Sequence, residues 1–208
     1  NNYNPYAEHF TTDSTIAKTN QAYVWGLTQN EDNLFFGTGP NIHCLVIGGY
    51  LQQTSPLQTD CFACEFGSSQ FSPPVPAEVG DWRPARMFTF NTATGTQTEI
   101  TPMDPKLNNT SGIRSAGNLN GVALLGGPNF TRGVNVFAFN SETGEFLGST
   151  TLMAVPGTAV GVTNIRKWVV INDVLYVGLG TVEGGSILKW TGNLSDPFQF
   201  ENVGFVDG

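Results

Sequence analysis

The chain has 208 residues and a formal charge of −8, with 39% hydrophobic residues, 25 glycines, 15 phenylalanines and only 12% charged residues. That length suits one all-β domain or part of a larger one, and the scarcity of Lys and Glu leaves Asn, Thr, Ser and Gln to cover a surface of the kind common in secreted β-rich proteins. The acidic balance argues against a nucleic-acid partner, no basic cluster suits an anionic membrane, and no apolar run reaches the roughly 20 residues of a bilayer span.

The chain begins Asn1-Asn2-Tyr3, without Met or a signal peptide, and is expected to be processed or an internal piece. After an extension over 1–20, Ala22 to Leu27 reads as a first strand that turns at Asn30 to Asn33 into Leu34 to Gly37. Asn30-Glu31-Asp32-Asn33 is short and lacks the alternating ligands of a calcium loop, so it is read as a hairpin turn. An insertion of roughly 40 residues follows, too long for an ordinary hairpin loop. It holds the apolar stretch His43 to Tyr50, all three cysteines and the exit Ser72-Pro73-Pro74-Val75-Pro76. Met87 to Asn91 resumes the pattern, with a turn at Thr92-Ala93-Thr94-Gly95 and a strand over Thr96 to Thr101.

The next stretch repeats this grammar: Ile113 to Ala116, a turn at Asn118 to Gly121, Val122 to Leu125, Val134 to Asn140, the turn Ser141-Glu142-Thr143-Gly144, and Glu145 to Leu152. The last does so again: Ile165 to Ile171, a tight turn at Asn172-Asp173, Val174 to Leu179, a Gly-rich loop over Gly180 to Gly185, Ser186 to Thr191, a turn at Gly192-Asn193, and Phe198 to Phe205. No segment sustains a helical period, so helix is expected only in odd turns.

These stretches are three copies of one unit. Phe90 to Phe139 is 49 positions, Phe139 to Trp190 is 51, and Gly126 to Gly178 is 52. Strand repeats of this length indicate propeller blades, which cannot bury their faces singly. The expected fold is all-β: a β-propeller of about three four-stranded blades, divided as blade one over 21–101 with its insertion at about 39–85, blade two over 102–152 and blade three over 153–208. Propellers typically have four to eight blades, so three do not close a ring. The favoured expectation is a fragment of a larger ring; the alternative is two copies closing a six-bladed ring.

Val136-Phe137-Ala138-Phe139-Asn140-Ser141-Glu142-Thr143-Gly144-Glu145 resembles the strand–turn–strand element of quinoprotein-type propellers, and Phe88 to Gly95 is a second, degraded copy. Asn140 stands where that family usually has Asp, and Gly148 about where it has a docking Trp. The resemblance covers about ten residues per blade; it implies the fold and, as an alternative function, a pyrroloquinoline quinone (PQQ) enzyme or a cofactor held by a domain outside this stretch.

Twelve positions before Gly37, Gly126 and Gly178 lie Trp25, Arg114 and Arg166, each at the start of its blade's first strand. One aromatic and two guanidinium groups at the mouth of a central channel would bind a carboxylate, sulfate or phosphate, with Trp25 stacking on a ring. The plainer alternative is that each Arg ties neighbouring blades together. Cys44, Cys61 and Cys64 suit a disulfide from Cys44 to either Cys61 or Cys64, leaving one cysteine over. A weaker alternative is a metal site of His43, Cys44, Cys61 and Cys64. Covalent haem is not expected, because Glu65 takes the place of the His that must follow Cys61-x-x-Cys64. Sequons fall at Asn108, Asn109, Asn129 and Asn193. No nucleophile, zinc or phosphate-loop motif occurs, and carboxylates such as Asp81, Asp104 and Asp173 lie far apart in sequence.

The expected role is therefore an extracellular, periplasmic or cell-surface scaffold that binds a protein or ligand, without a cofactor of its own. Its partner would be another protein, the rest of its own propeller, or a second copy in a homodimer. A quinoprotein-type redox enzyme, and a polysaccharide lyase or hydrolase holding uronates with Arg114 and Arg166, are the alternatives.

Overall fold

The computed structural model describes residues 21, 23–42, 83–153, 163–181 and 183–207. These form three four-stranded antiparallel sheets, each a meander in which sequence neighbours pair. Sheet one contains β1 (Tyr23–Asn30), β2 (Asn33–Gly39), β3 (Met87–Asn91) and β4 (Thr96–Glu99). Sheet two contains β5 (Ser115–Leu119), β6 (Val122–Pro128), β7 (Val134–Asn140) and β8 (Phe146–Leu152). Sheet three contains β9 (Asn164–Ile171), β10 (Val174–Thr181), β11 (Gly184–Trp190) and β12 (Phe200–Asp207). A 3-10 segment runs over Pro105–Asn109, capped by Asp104.

Turn chemistry explains most boundaries. Asn120 and Gly121 (φ 50° and 80°) and Asn172 and Asp173 (φ 51° and 56°) take the left-handed conformation that a two-residue hairpin needs. In sheet one Glu31 (φ 50°) does the same, which carries β1 on to Asn30, beyond the expected end at Leu27. The Gly180–Gly185 stretch, expected as a loop, is a ladder: Gly180 pairs with Gly185 and Thr181 with Gly184. The last strand starts at Phe200, because Trp190 Nε1 donates to the Pro197 carbonyl (2.8 Å) and Thr191 N to that of Gln199 (2.9 Å), holding the preceding turn shut.

The sheets stack face on face, and the same repeat positions make both interfaces. Between sheets one and two, Phe35, Met87, Ile113, Ala123, Leu125 and Phe139 belong to one buried cluster. Between sheets two and three, Leu124, Val136, Ile165, Trp168, Leu175 and Trp190 belong to another. Sheet two thus has a front face, directed at sheet one, and a back face, directed at sheet three, and the equivalent faces of the other two sheets take the same names.

Close approach depends on missing side chains. A Cβ on Gly37 of β2 would lie 2.2 Å from the Ile113 Cβ, and one on Gly117 of β5 would lie 2.6 Å from the Trp168 Cβ. Ile113 was expected to open the second unit's first strand. Instead its backbone is bonded to sheet one, donating to the Thr38 carbonyl (2.9 Å) and accepting from Gly26 N (2.8 Å). Ile165, 52 positions later, meets Gly126 with the end of its side chain, 3.0 Å between its Cδ1 and a Cβ built on that glycine.

The two glycines differ in how far their neighbours can yield. In Gly37→Ala the new methyl meets a Cβ fixed to the backbone, whereas in Gly126→Ala it meets the end of a flexible side chain. Urea unfolding should show Gly37→Ala losing about 1–3 kcal/mol or more by overpacking, and Gly126→Ala clearly less. Equal losses would refute this packing account.

Candidate functional site

The first strands lie side by side, β1 against β5 and β5 against β9. This brings the equivalent positions Trp25, Arg114 and Arg166 to the edge where the first strands begin. Trp25 is the extra residue of a β-bulge, since Val24 pairs with Thr38 and Gly26 with Gly37. Such a bulge re-aims a side chain. The indole lies against two glycines: a Cβ on Gly39 would be 2.8 Å from the ring and one on Gly112 3.2 Å.

Arg114 reaches both neighbouring sheets. Its guanidinium carbon lies 4.8 Å from the centroid of the Trp25 ring, a cation–π contact. Its Nη1 donates to Asn164 Oδ1 of β9 at 2.5 Å. One half-buried side chain from sheet two thus touches sheets one and three. Arg166, two residues beyond Asn164, is exposed. So is Tyr23 (47% accessible), whose ring lies 6.2 Å from that of Trp25. The structure therefore joins Trp25 and Arg114 in one contact and leaves Arg166 open to solvent. One face of Trp25 is occupied by the guanidinium, and among the described residues Tyr23 is the exposed aromatic beside it.

Of the four sequons, Asn108 and Asn193 are exposed. Asn109 is half-buried and accepts from Asn135 Nδ2 (2.9 Å). Asn129 is buried, its Nδ2 donates to Asn135 Oδ1 (3.2 Å), and its Oδ1 accepts from the Thr131 N–H (2.8 Å). A glycan there would have to displace a buried hydrogen bond. Asn135 itself, which the sequence did not single out, is the centre of a buried polar network. It also donates to Thr110 Oγ1 (2.9 Å) and accepts from Thr151 Oγ1 (2.8 Å). Its only sequence signal is an Asn at an apolar position of a strand, which does not reveal its partners.

Asn91 and Asn140 occupy equivalent turns. Asn140 Oδ1 accepts from the N–H groups of Glu142 (2.9 Å) and Thr143 (3.2 Å), and Asn91 Oδ1 from those of Ala93 (3.1 Å) and Thr94 (2.9 Å). A carboxamide oxygen makes the bonds a carboxylate would make, so Asn at this position keeps the turn. Gly148 faces the Phe198 ring, 3.3 Å from where its Cβ would stand.

Asp104 accepts from Ser149 Oγ (2.6 Å) and Lys106 N (2.8 Å), and Asp173 lies in the β9–β10 turn, so each serves its own local structure. Arg83 is buried (7% accessible), and that burial, with Arg86 nearby, lowers its pKa to about 10. His43, Cys44, Cys61, Cys64 and Asp81 lie outside the described residues. Among the described residues no group of three or more His, Cys, Asp or Glu side chains is placed to hold a metal ion.

No protein-family model matches the chain, and no curated protein matches it.

Arg114 and Arg166 share a repeat position but not an environment, and substitution separates them. Arg114→Met should cost about 1.5–3 kcal/mol for a hydrogen bond made by a charged group. Arg166→Met, at an exposed position, should stay within about 0.5 kcal/mol. Both are read from urea midpoints, and equal effects would remove the distinction.

Proposed function

We propose that the three sheets are consecutive blades of a β-propeller that works outside the cell as a binding module, taking its ligand at the rim where β1, β5 and β9 begin. The observation that carries this reading is the Arg114 tie. One guanidinium held by Trp25 and Asn164 fixes the ends of three first strands, with the exposed Tyr23 and Arg166 placed on that fixed rim. Radial repetition of sheets is what a propeller requires, and the recurrence of the Gly37–Ile113 contact as Gly126–Ile165 supports it. The polar, charge-poor composition supports the extracellular setting.

The chemistry of the rim suits a ligand that combines a carboxylate with a ring face, such as a uronate sugar. Arg166 offers a planar fork of donors for the carboxylate, and Tyr23 offers a ring for the sugar face. Rigid placement limits the ordering cost of binding. Nothing in this reading needs bond cleavage, so the module binds and releases.

Calorimetric titration with an oligogalacturonate and with a neutral oligosaccharide of equal length tests it. The acidic ligand should bind and the neutral one should not. Arg166→Ala should weaken binding by about tenfold or more, the loss of a charge-assisted hydrogen bond. If no heat appears with the uronate, or Arg166→Ala binds as well as the parent, the reading fails.

A further inference from the structure

Among the described residues, the interface that recurs between the sheets has two unfilled halves, one on sheet one and one on sheet three. On the back face of sheet three, the glycine equivalent to Gly37 and Gly126 is Gly178, and no atom of the described residues lies within 4 Å of where its Cβ would be. Around it Val169, Ile171, Tyr176 and Ile187 line a shallow apolar hollow of about 330 Å³. Val169, Ile171 and Ile187 are 40%, 55% and 47% accessible.

On the front face of sheet one, the residue equivalent to Ile113 and Ile165 is Val24, which pairs with Thr38 as Ile165 pairs with Leu179, and it is 60% accessible. Beside it stand Leu34, Phe36, Phe88 and Phe90, only half-buried, with Leu27 54% accessible. Their equivalents in sheet two, Ala123, Leu125, Phe137 and Phe139, are fully buried against sheet one. Those in sheet three, Leu175, Val177, Leu188 and Trp190, are buried against sheet two. An empty socket and an uncovered knob of the same interface therefore sit at opposite ends of one chain.

We infer that the occupant of each is a second copy of this chain. The Val24 face of one copy docks on the Gly178 face of the other, and the reciprocal contact closes a ring of six sheets with two-fold symmetry. The socket accepts a branched side chain from the start of the next unit, Ile113 just before β5 and Ile165 in β9, and Val24 of β1 is the equivalent branched side chain left over. Two identical contacts between two copies complete the assembly, whereas a single head-to-tail contact repeated would grow without end. Closure at six sheets rests on the propeller reading, since propellers close with about four to eight blades.

Sedimentation equilibrium of the purified chain over a range of concentrations tests this. The expected mass is twice 22.3 kDa. Gly178→Arg and Val24→Asp should each give the single-chain mass where the parent is dimeric, with circular dichroism unchanged; Leu27→Asp blocks the same face as Val24→Asp should that variant fail to fold. An equimolar mixture of Gly178→Arg and Val24→Asp should recover dimer, more weakly than the parent, because one of its two contacts joins unmodified faces. A mass that stays at 22.3 kDa, a dimer indifferent to both substitutions, or open polymers larger than two copies would each overturn the inference. Ligand binding at the rim is measurable on the single chain, so a monomer that still binds uronate through Arg166 removes the dimer alone.

Discussion

The stack depends on the second-strand glycines of its first two units, Gly37 and Gly126. Two twisted sheets normally pack about 10 Å apart through interdigitating side chains. Here one side chain per interface, Ile113 or Ile165, drops into the space left by a glycine of the preceding sheet. At Gly37 the approach is so close that Ile113 joins sheet one through its backbone as well as its side chain. The socket is a local feature, yet it sets how the first strands lie side by side. That arrangement in turn places Trp25, Arg114 and Asn164 within reach of one another. Position at the rim therefore follows from packing several residues away.

With charged residues at only 12%, polar groups are satisfied by amides and hydroxyls. Asn91, Asn140 and Asn193 each turn a carboxamide oxygen onto the N–H groups that follow, and Asn135 binds Asn109, Thr110, Asn129 and Thr151 inside the fold. A neutral amide avoids most of the desolvation penalty a carboxylate would incur at such a buried site. It also brings donor and acceptor together, so one residue satisfies partners of both kinds. A buried network of this sort depends on every member being present.

Strand pairing was largely legible in the sequence, because alternation and turn residues are local signals. Asn120-Gly121 and Asn172-Asp173 mark their hairpins, and the spacing of Gly126 and Gly178 marks the unit. What the sequence hid was non-local. The Gly180–Gly185 run looks like a loop because glycine carries no side chain to show a period, yet its backbone pairs. Ile113 reads as an ordinary strand residue, and only the neighbouring sheet shows that it belongs to an interface. At the rim the repeat spacing marked the three equivalent positions but not the Asn164 partner, which lies 50 residues beyond Arg114.

That rim shows how a repeat separates place from chemistry. One repeat position holds Trp25, Arg114 and Arg166, and the scaffold puts all three at the starts of adjacent strands. Their fates differ because their neighbours differ. Arg114 meets an indole on one side and a carboxamide on the other, both able to receive a cation, so it becomes a tie. For Arg166 the equivalent position on the preceding sheet is Arg114, a like charge and no platform for a second guanidinium. An exposed position lets Arg166 keep its hydration instead of bearing the cost of a buried cation. The same identity, twelve residues before the same glycine, thus yields a structural group in one unit and a group left available in the next.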